Sequence, residues 1–386
     1  MLTVFLRAKW QFSSKLALVC LQGLEVNGDV GGVNVLGCLF SSIAAHGILV
    51  NGVQQPAPGR TPHDLRFSGS VFERAGALFA GASAIAITGG SFGTIARNRF
   101  TDLPRNAIGL GSSFREPMVL TTNWVIRENV IKDTCRETDD TGAIVIYAQQ
   151  RDNRHSNASF VDGAILIERN NITQTVDRNS MDGASVCTHG RADLSGHEAT
   201  CRNHTWGVYC DGVSSGVNIS SNVISAGMQG GIYFHQGGSN TAINNIIVDG
   251  QMYLLCLGTP DQVGSKLTRN LFVWREPTAK VLFDFNVLPQ HSVPGTVLPA
   301  LVSSDYNLYY CTELSVSDVL RNVSLFPLGG SRGLEGWQSV ANYDKHSIVA
   351  DPLFVRPERG DYSLRAESPA LSQLHCPRPP GAVKRP

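Results

Sequence analysis

The 386-residue sequence has few charged residues and no excess of charge of either sign. Asp, Glu, Lys and Arg make up only 17% of it, and 32 basic residues balance 32 acidic ones. Long surface helices need many charged residues, so this composition argues against a mainly helical protein. A net charge of zero provides no long-range attraction to nucleic acid or to an anionic membrane, and it favours a neutral polymer as the partner.

Long apolar runs are also missing. No stretch of 18 apolar residues occurs, so we expect no membrane span. Near the start, Arg7, Lys9, Gln11 and Lys15 interrupt the apolar segment that a signal peptide requires. A repeat is already under way by about residue 33. This favours an incomplete start that lacks its leader and its first coils.

Asparagine followed by apolar residues recurs along the chain. The copies are RNRF at 97–100, ENVI at 128–131, RNNI at 169–172, SNVI at 221–224, NNII at 244–247 and RNLF at 269–272. The three later asparagines, Asn222, Asn245 and Asn270, are 23 and 25 residues apart. Short β-branched strands repeated at such a period are typical of parallel β-helix coils, each of which buries its apolar side chains against its neighbours. Asn suits the corners of such coils because it tolerates the left-handed conformation.

The sequence therefore predicts an all-β fold, a right-handed parallel β-helix of the single-stranded, pectate-lyase-like type. A leucine-rich repeat would need a Leu framework that is absent, and a β-sandwich would not place Asn at one point of each period. We expect an irregular segment at 1–32, the β-helix at 33–313 with a loop excursion at 178–203, a C-terminal irregular region and cap at 314–375, and a disordered tail at 376–386. Within the cap, segment 350–372 is expected to hide the edge of the last coil.

Acidic side chains crowd the segment CRETDDTGAI at 135–144, where Glu137, Asp139 and Asp140 precede a predicted strand. Such residues are more often solvated caps than functional groups. If 178–203 is an excursion, Asp140 and Asp211 lie on successive coils, with backbones ~5 Å apart. Their carboxyl groups would then be roughly 5 to 9 Å apart, a range that includes both geometries of glycoside hydrolysis. We interpret Asp140 and Asp211 as a catalytic pair, one protonated and one ionised, and Glu137 and Asp139 as substrate-binding residues.

A second pattern aligns GVYCDG at 207–212 with GIYFHQ at 231–236, at an offset of 24 residues. The alignment stacks Tyr209 on Tyr233 and Asp211 on His235. Residues two apart on a strand share a face, so the four side chains point the same way. If they point outward, Tyr209, Tyr233 and His235 form a platform for a sugar. The alternative is that the tyrosines point into the core.

The excursion at 178–203 contains Cys187 and Cys201 with three nearby metal-type ligands, but their spacing matches no compact zinc pattern. A disulfide-closed loop is the preferred interpretation. We expect no metal site and no cofactor. Cys210 and Cys256 lie within apolar strands and are expected to be core thiols.

These segments, together with WGVYCDGVSSGVNISSNVI and GIYFHQGGSNTAINNIIVD, resemble the right-handed β-helix glycoside hydrolases of family 141 and their uncharacterised relatives. The resemblance covers roughly residues 30–275, and the DPLF…GDYSL…SPAL ending is similar to caps of β-helix carbohydrate enzymes. Characterised members act on plant cell-wall glycans as fucosidases or xylanases. The resemblance implies that Asp140 and Asp211 correspond to the acidic pair of the family, His235 to its groove histidine, and Arg151 to a substrate-binding arginine after its first strand.

Three departures accompany this resemblance. Gly212 stands where the family has a second Asp, Gly238 stands where it has Arg, and the insertion between the acidic strands is longer. Three functions follow as hypotheses. The first is a glycoside hydrolase that cleaves a cell-wall polysaccharide, the second a polysaccharide lyase or epimerase, and the third a non-catalytic glycan-binding or adhesion solenoid. The few Lys residues in the repeat rank the lyase lower, because a lyase needs a basic residue beside a uronate.

The expected partner is a polysaccharide or oligosaccharide substrate, with no nucleic acid partner, and we expect a monomer. Nine cysteines leave at least one unpaired, and sequons begin at Asn157, Asn171, Asn203, Asn218 and Asn322. The sequons, the cysteines and the resemblance together predict a secreted or extracellular protein.

Overall fold

The computed structural model describes residues 22–52, 61–111, 121–138, 140–147, 164–173, 205–212, 214–225, 229–250, 252–258, 262–284 and 298–376. Over these residues the chain is a parallel β-helix, which confirms the predicted all-β fold. Each coil passes in turn through three long parallel sheets, called here the first, second and third sheets in chain order. The predicted domain boundaries remain predictions, because residues 1–21 and 377–386 lie outside the described part.

The described strands build nine coils, which we number from the N-terminal end. The first sheet contains Leu24–Asn27, Ile48–Asn51, Ile85–Thr88, Ile108–Gly111, Thr141–Tyr147, Thr205–Cys210, Gly230–Phe234, Tyr253–Leu257 and Lys280–Asp284. The second contains Asn34–Leu36, His63–Ser68, Gly90–Ala96, Thr121–Arg127, Ile165–Glu168, Val217–Ser220, Thr241–Ile243, Ser265–Thr268 and Leu301–Asp305. The third contains Leu39–Ser41, Val71–Glu73, Arg99–Thr101, Val130–Lys132, Asn171–Thr173, Val223–Ser225, Ile246–Val248, Leu271–Trp274, Leu308–Cys311 and a tenth strand, Ile348–Val349.

The core runs the length of the solenoid because equivalent apolar residues stack from coil to coil. In the first sheet, Ile108 pairs with Ile144, and Ile144 pairs with Val208, all of them fully buried. Near the N-terminal end, the rings of Phe40, Phe72 and Phe100 stack with centroid distances of 4.7 and 4.9 Å. Each coil therefore completes its hydrophobic core only through its neighbours.

A two-residue turn joins the second sheet to the third, and it explains the recurrent asparagine. The first turn residue has a positive φ, for example 55° at Arg97 and 57° at Glu128. The second is the buried Asn. The expectation that Asn adopts the left-handed conformation is therefore wrong, because the residue before it does so and frees the Asn side chain for hydrogen bonding.

These asparagines form a continuous ladder inside the solenoid. The Nδ2 atom of Asn129 donates to Oδ1 of Asn170 at 2.9 Å, and Nδ2 of Asn170 donates to Oδ1 of Asn222 at 3.0 Å. The same contact links Asn98 to Asn129, Asn222 to Asn245, Asn245 to Asn270 and Asn270 to Asn307. Because these residues are at most 2% exposed, the ladder satisfies polar groups that would otherwise be buried without partners.

The C-terminal region covers two different surfaces. Helices Val316–Arg321 and Gly333–Val340 place Val319, Leu334 and Trp337 on the end of the main core. The carboxylate of Asp344 holds this cap through donors 2.6 to 2.9 Å away, on Ser304, Asn307, Tyr309, Trp337 and Ser347.

Residues beyond the tenth strand form an antiparallel pair, Phe354–Arg356 with Asp361–Leu364, a 3-10 turn at Pro357–Arg359, and helix Pro369–Ser372. Phe354, Ala370 and Leu374 pack on the outer face of the third sheet, against residues such as Ile246 and Leu271. The edge of the last coil is thus covered by the two preceding helices, whereas segment 350–372 covers the side of the solenoid.

Candidate active site

Polar and aromatic side chains gather on the outer face of the first sheet, in coils 5 to 7. The register places Tyr209 beside Val145 on one side and Tyr233 on the other. Asp211 directly follows strand Thr205–Cys210, and His235 directly follows strand Gly230–Phe234. The predicted offset of 24 residues is therefore observed.

Strand alternation sends these side chains away from the core. Val208 and Cys210 belong to the main core, whereas Tyr209 between them belongs to a separate cluster with Val145, Trp206, Tyr233 and Cys256. Cys210 and Cys256 are both fully buried in hydrophobic core clusters, as expected, but Cys256 belongs to this outer cluster and Cys210 to the main one. A Tyr at this strand position can deliver its hydroxyl to the surface of the solenoid.

Four side chains are connected by short polar contacts. Nδ1 of His235 lies 2.7 Å from Oδ1 of Asp211, and the Tyr209 hydroxyl donates to Oδ1 of Asp140 at 3.3 Å. The same hydroxyl lies 3.5 Å from Nδ1 of His235. The backbone N–H of Gly212 also donates to Oδ1 of Asp211 at 2.7 Å. A ring that donates Nδ1–H to Asp211 leaves Nε2 as an acceptor in the neutral form.

Asp140 and Asp211 come together in a different way from the one predicted. Thr141 pairs with Thr205 and Ile146 with Cys210, so Asp140 precedes one strand while Asp211 follows the next. Their backbones lie at opposite ends of the paired strands and not one strand spacing apart. The side chains still converge, since the three contacts through Tyr209 and His235 limit the separation of their Oδ1 atoms to about 9.5 Å.

Burial contradicts the open tyrosine platform. The rings of Tyr209 and Tyr233 stack with a centroid distance of 5.1 Å and an interplanar angle of 10°. Only 2% of the surface of Tyr209 and 4% of that of Tyr233 is exposed. Their ring faces are thus not free to carry a sugar. Asp140 is exposed, and the His235 side chain keeps 26% of its surface. A substrate can therefore meet Asp140 and His235, while the tyrosines support them.

The tyrosine hydroxyls are held in the protonated form. Burial raises the pKa of Tyr209 and of Tyr233 far above the usual range, and the nearby Asp211 and Asp140 raise each further. The Tyr209 hydroxyl is therefore a hydrogen-bond donor at every physiological pH.

Two further residues beside this cluster, Tyr147 and Arg105, were not predicted from the sequence. Burial raises the pKa of Tyr147, and the charge of Asp211 adds to this effect, whereas a hydrogen bond from Arg105 opposes it. Tyr147 ends strand Thr141–Tyr147, two residues after Val145, and the alternation of that strand could have identified it. Arg105 lies in an irregular stretch before coil 4, where no periodic signal exists.

The remaining predicted site residues either do not join this cluster or lie outside the described residues. Glu137 is exposed and its backbone N–H donates to the Pro104 carbonyl, but within the described ranges no hydrogen bond or ion pair joins its carboxylate to the cluster. Asp139, Arg151 and the excursion at 178–203 lie outside the described residues. The role of Glu137 remains a prediction.

No group of three or more His, Cys, Asp or Glu residues able to hold a metal ion occurs among the described residues. Among the described cysteines, Cys135, Cys210, Cys256, Cys311 and Cys376 are buried free thiols, and Cys38 is also buried.

Both glycines that depart from the family 141 pattern occupy positions with a local backbone reason. Gly212 has a φ of 57°, which favours glycine. A Cβ atom on Gly238 would lie 2.5 Å from the Val263 carbonyl oxygen, so a larger residue would require the backbone to shift. The absence of side chains here is therefore compatible with an intact site.

Comparison with known families and with curated proteins found no match. Among solved structures, the chain is similar to a catalytic-domain variant of a GH87 alpha-1,3-glucanase in complex with tetrasaccharides. The identity is 14%, the match covers 69% of this chain and 47% of that chain, and the TM-score is 0.34. The chain thus spans about half the length of that catalytic domain. No helix in the described ranges is long and apolar enough to cross a membrane.

Proposed function

We propose that the protein is a glycoside hydrolase that cleaves a cell-wall polysaccharide with Asp140 and Asp211. The observation that carries the proposal is the convergence of these two carboxylates on the Tyr209–His235 pair at the outer face of one sheet. Glycosidic bond cleavage needs two carboxyl groups on either side of the bond, and this arrangement supplies them.

The contacts suggest how the work is divided. Asp140 is exposed and oriented by the Tyr209 hydroxyl, so it protonates the leaving oxygen. Asp211 is 6% exposed and fixed by the Gly212 N–H and by His235. It acts at the anomeric carbon, either as nucleophile or, with His235, as base for a water. A limit of about 9.5 Å includes both the retaining and the inverting geometry.

The remaining expectations belong to the same proposal. The motifs around Asp140, Asp211 and His235 support relatedness to family 141, with a plant cell-wall glycan as substrate. The sequons and cysteines favour a secreted or extracellular monomer. Arg151 and Asp139 are proposed as substrate-binding residues on the motif alone.

The test is the release of reducing ends from xylan, pectin fractions and fucosylated oligosaccharides. Asp140→Asn and Asp211→Asn should each lower the rate by at least a hundredfold, while a matched turn residue, Asp133→Asn, should retain it. Asp133 directly follows the third-sheet strand Val130–Lys132 and forms an ion pair with Lys132 at 3.6 Å. Circular dichroism should show the same fold in all three variants. Full activity in either site variant removes that residue from the mechanism, and binding without any cleavage leaves a glycan-binding solenoid.

A polysaccharide lyase is the second candidate, favoured by the Arg105–Tyr147 pair beside the carboxylates. Arginine can neutralise a uronate carboxyl group, and a tyrosine can serve as the base. Burial raises the pKa of Tyr147 more than Arg105 lowers it, so the hydroxyl is a poor base near neutral pH. This ranks the lyase below the hydrolase. Absorbance of an unsaturated uronate among the products of pectin would reverse the order.

A further inference from the structure

The outer face of the first sheet continues beyond the carboxylates as a row of aromatic rings. The ring of Trp206 in coil 6 stacks on that of Tyr253 in coil 8, with a centroid distance of 6.1 Å and an interplanar angle of 9°. Tyr253 in turn contacts Phe283 in coil 9, with a centroid distance of 4.8 Å and an interplanar angle of 31°. The register places Cys256 between Tyr233 and Phe283 on the same face. Trp206 pairs with Gly142, so the row starts at the end of the sheet where Asp140 lies and follows the solenoid axis toward coil 9.

Glycine makes this row possible. An atom at the Cβ position of Gly230 would lie 2.2 Å from the Trp206 indole, so the ring lies flat over coil 7 only because Gly230 has no side chain. The indole is fully buried and supports Tyr253 from below. Tyr253 and Phe283 are half-buried, so both keep ring surface that solvent can reach.

The other two sheets differ in their outer faces. In the second sheet, the outward residues of coils 6 to 8 include Asn218, Thr241 and Lys266, and all of them except Ile243 are polar. In the third sheet, the C-terminal segment covers the outward residues of coils 7 to 9. An accessible aromatic surface next to the carboxylates is thus provided by the first sheet.

We propose that Tyr253 and Phe283 form a binding subsite for sugar rings of an extended chain that lies along the solenoid axis. Coils are ~4.8 Å apart, which is close to the length of one pyranose unit in an extended chain. Tyr253 and Phe283 lie two and three coils beyond Asp211. A glycan cleaved at Asp140 and Asp211 would therefore place its second and third further units over these rings. Aromatic faces bind the C–H faces of neutral pyranoses, so the substrate class is a neutral, extended oligosaccharide or polysaccharide.

This inference rests on the proposed function, and binding measurements separate the two. Xylobiose to xylohexaose would be titrated by calorimetry into the Asp140→Asn protein, with oligogalacturonides as an acidic series. Affinity should rise with chain length for the neutral series. Tyr253→Ala and Phe283→Ala should each lower the affinity for xylohexaose about tenfold and leave that for xylobiose unchanged.

Phe92→Ala provides a matched control, because Phe92 is a 61% exposed aromatic residue in the second sheet. It should change neither affinity. Length-dependent binding that needs Tyr253 and Phe283, in a protein that cleaves nothing, would overturn the hydrolase and keep the subsite. Equal xylohexaose affinity in both Ala variants and the parent, or no binding of either series, would overturn the subsite whether or not cleavage occurs.

Discussion

Replacing Asn170 by alanine should destabilise the protein strongly, since Asn170 lies in the middle of the buried ladder. Its Oδ1 accepts from the N–H and the Nδ2 of Asn129 at 3.0 and 2.9 Å. Its Nδ2 donates to the Ile126 carbonyl and to Oδ1 of Asn222 at 2.9 and 3.0 Å. The substitution leaves the backbone N–H of Asn129 and one of its two Nδ2 hydrogens buried without partners, although Nδ2 keeps its bond to the Ile95 carbonyl, and each unmet donor costs about 1–3 kcal/mol. We expect a loss of about 3–5 kcal/mol in the free energy of unfolding.

The neighbouring residue supplies the control. Asn171 is half-buried on the outer face of the third sheet, where its Oδ1 accepts one bond from Thr173 at 3.0 Å. Asn171→Ala should therefore cost less than about 1 kcal/mol. Both variants, produced without glycosylation, would be unfolded in urea and compared by their transition midpoints. Equal midpoints for the two variants would refute the assignment of stability to the ladder.

Three further outcomes are expected. Asp344→Ala should lower the free energy of unfolding by about 3–5 kcal/mol, because it leaves five donors without their shared acceptor. The thermal midpoint should fall accordingly, and an unchanged midpoint would contradict the role of Asp344 in the cap. Gly238→Ala should lower the free energy of unfolding in urea by about 1–3 kcal/mol, because its Cβ would meet the Val263 carbonyl. Gly81→Ala, whose Cβ would have nothing within 4 Å, should leave the stability unchanged. A larger loss for Gly81→Ala than for Gly238→Ala would be inconsistent with this packing. Burial raises the pKa of Cys135 to about 12, so its thiol stays neutral below that pH, and mass spectrometry should find it unalkylated at pH 9 in the native protein and labelled after unfolding.

The fold could be predicted from the sequence because the same asparagine recurs at one point of each coil. What the period could not give is the conformation within the turn. Arg169 has a φ of 55° and Ser221 one of 56°, although neither residue type signals a left-handed conformation. They adopt it because the following asparagine must point inward to its ladder partners. The hydrogen bonds between stacked coils therefore outweigh the intrinsic backbone preference of Arg169 and Ser221 for a negative φ.

The candidate site was only partly predictable. The alignment of Tyr209 with Tyr233 and of Asp211 with His235 follows from a short coil with an unambiguous offset. The relation of Asp140 to Asp211 depends on the register of strand Thr141–Tyr147 with strand Thr205–Cys210, across a long intervening segment. A one-residue change in such a register reverses every side chain, so sequence spacing could not determine it.

The solenoid separates the residues that stabilise it from those proposed to act on substrate. The asparagine ladder and the stacked aliphatic core lie inside, whereas Asp140, His235, Tyr253 and Phe283 lie on one outer face, where a changed side chain leaves the ladder intact. Substitutions at sites without shared partners usually add in their effects on stability. The double variant Asn170→Ala/Asp140→Asn should therefore lose as much free energy of unfolding as Asn170→Ala alone. Its folded molecules should be as inactive as those of Asp140→Asn alone. A marked interaction between the two would mean that the outer face and the ladder form one cooperative unit.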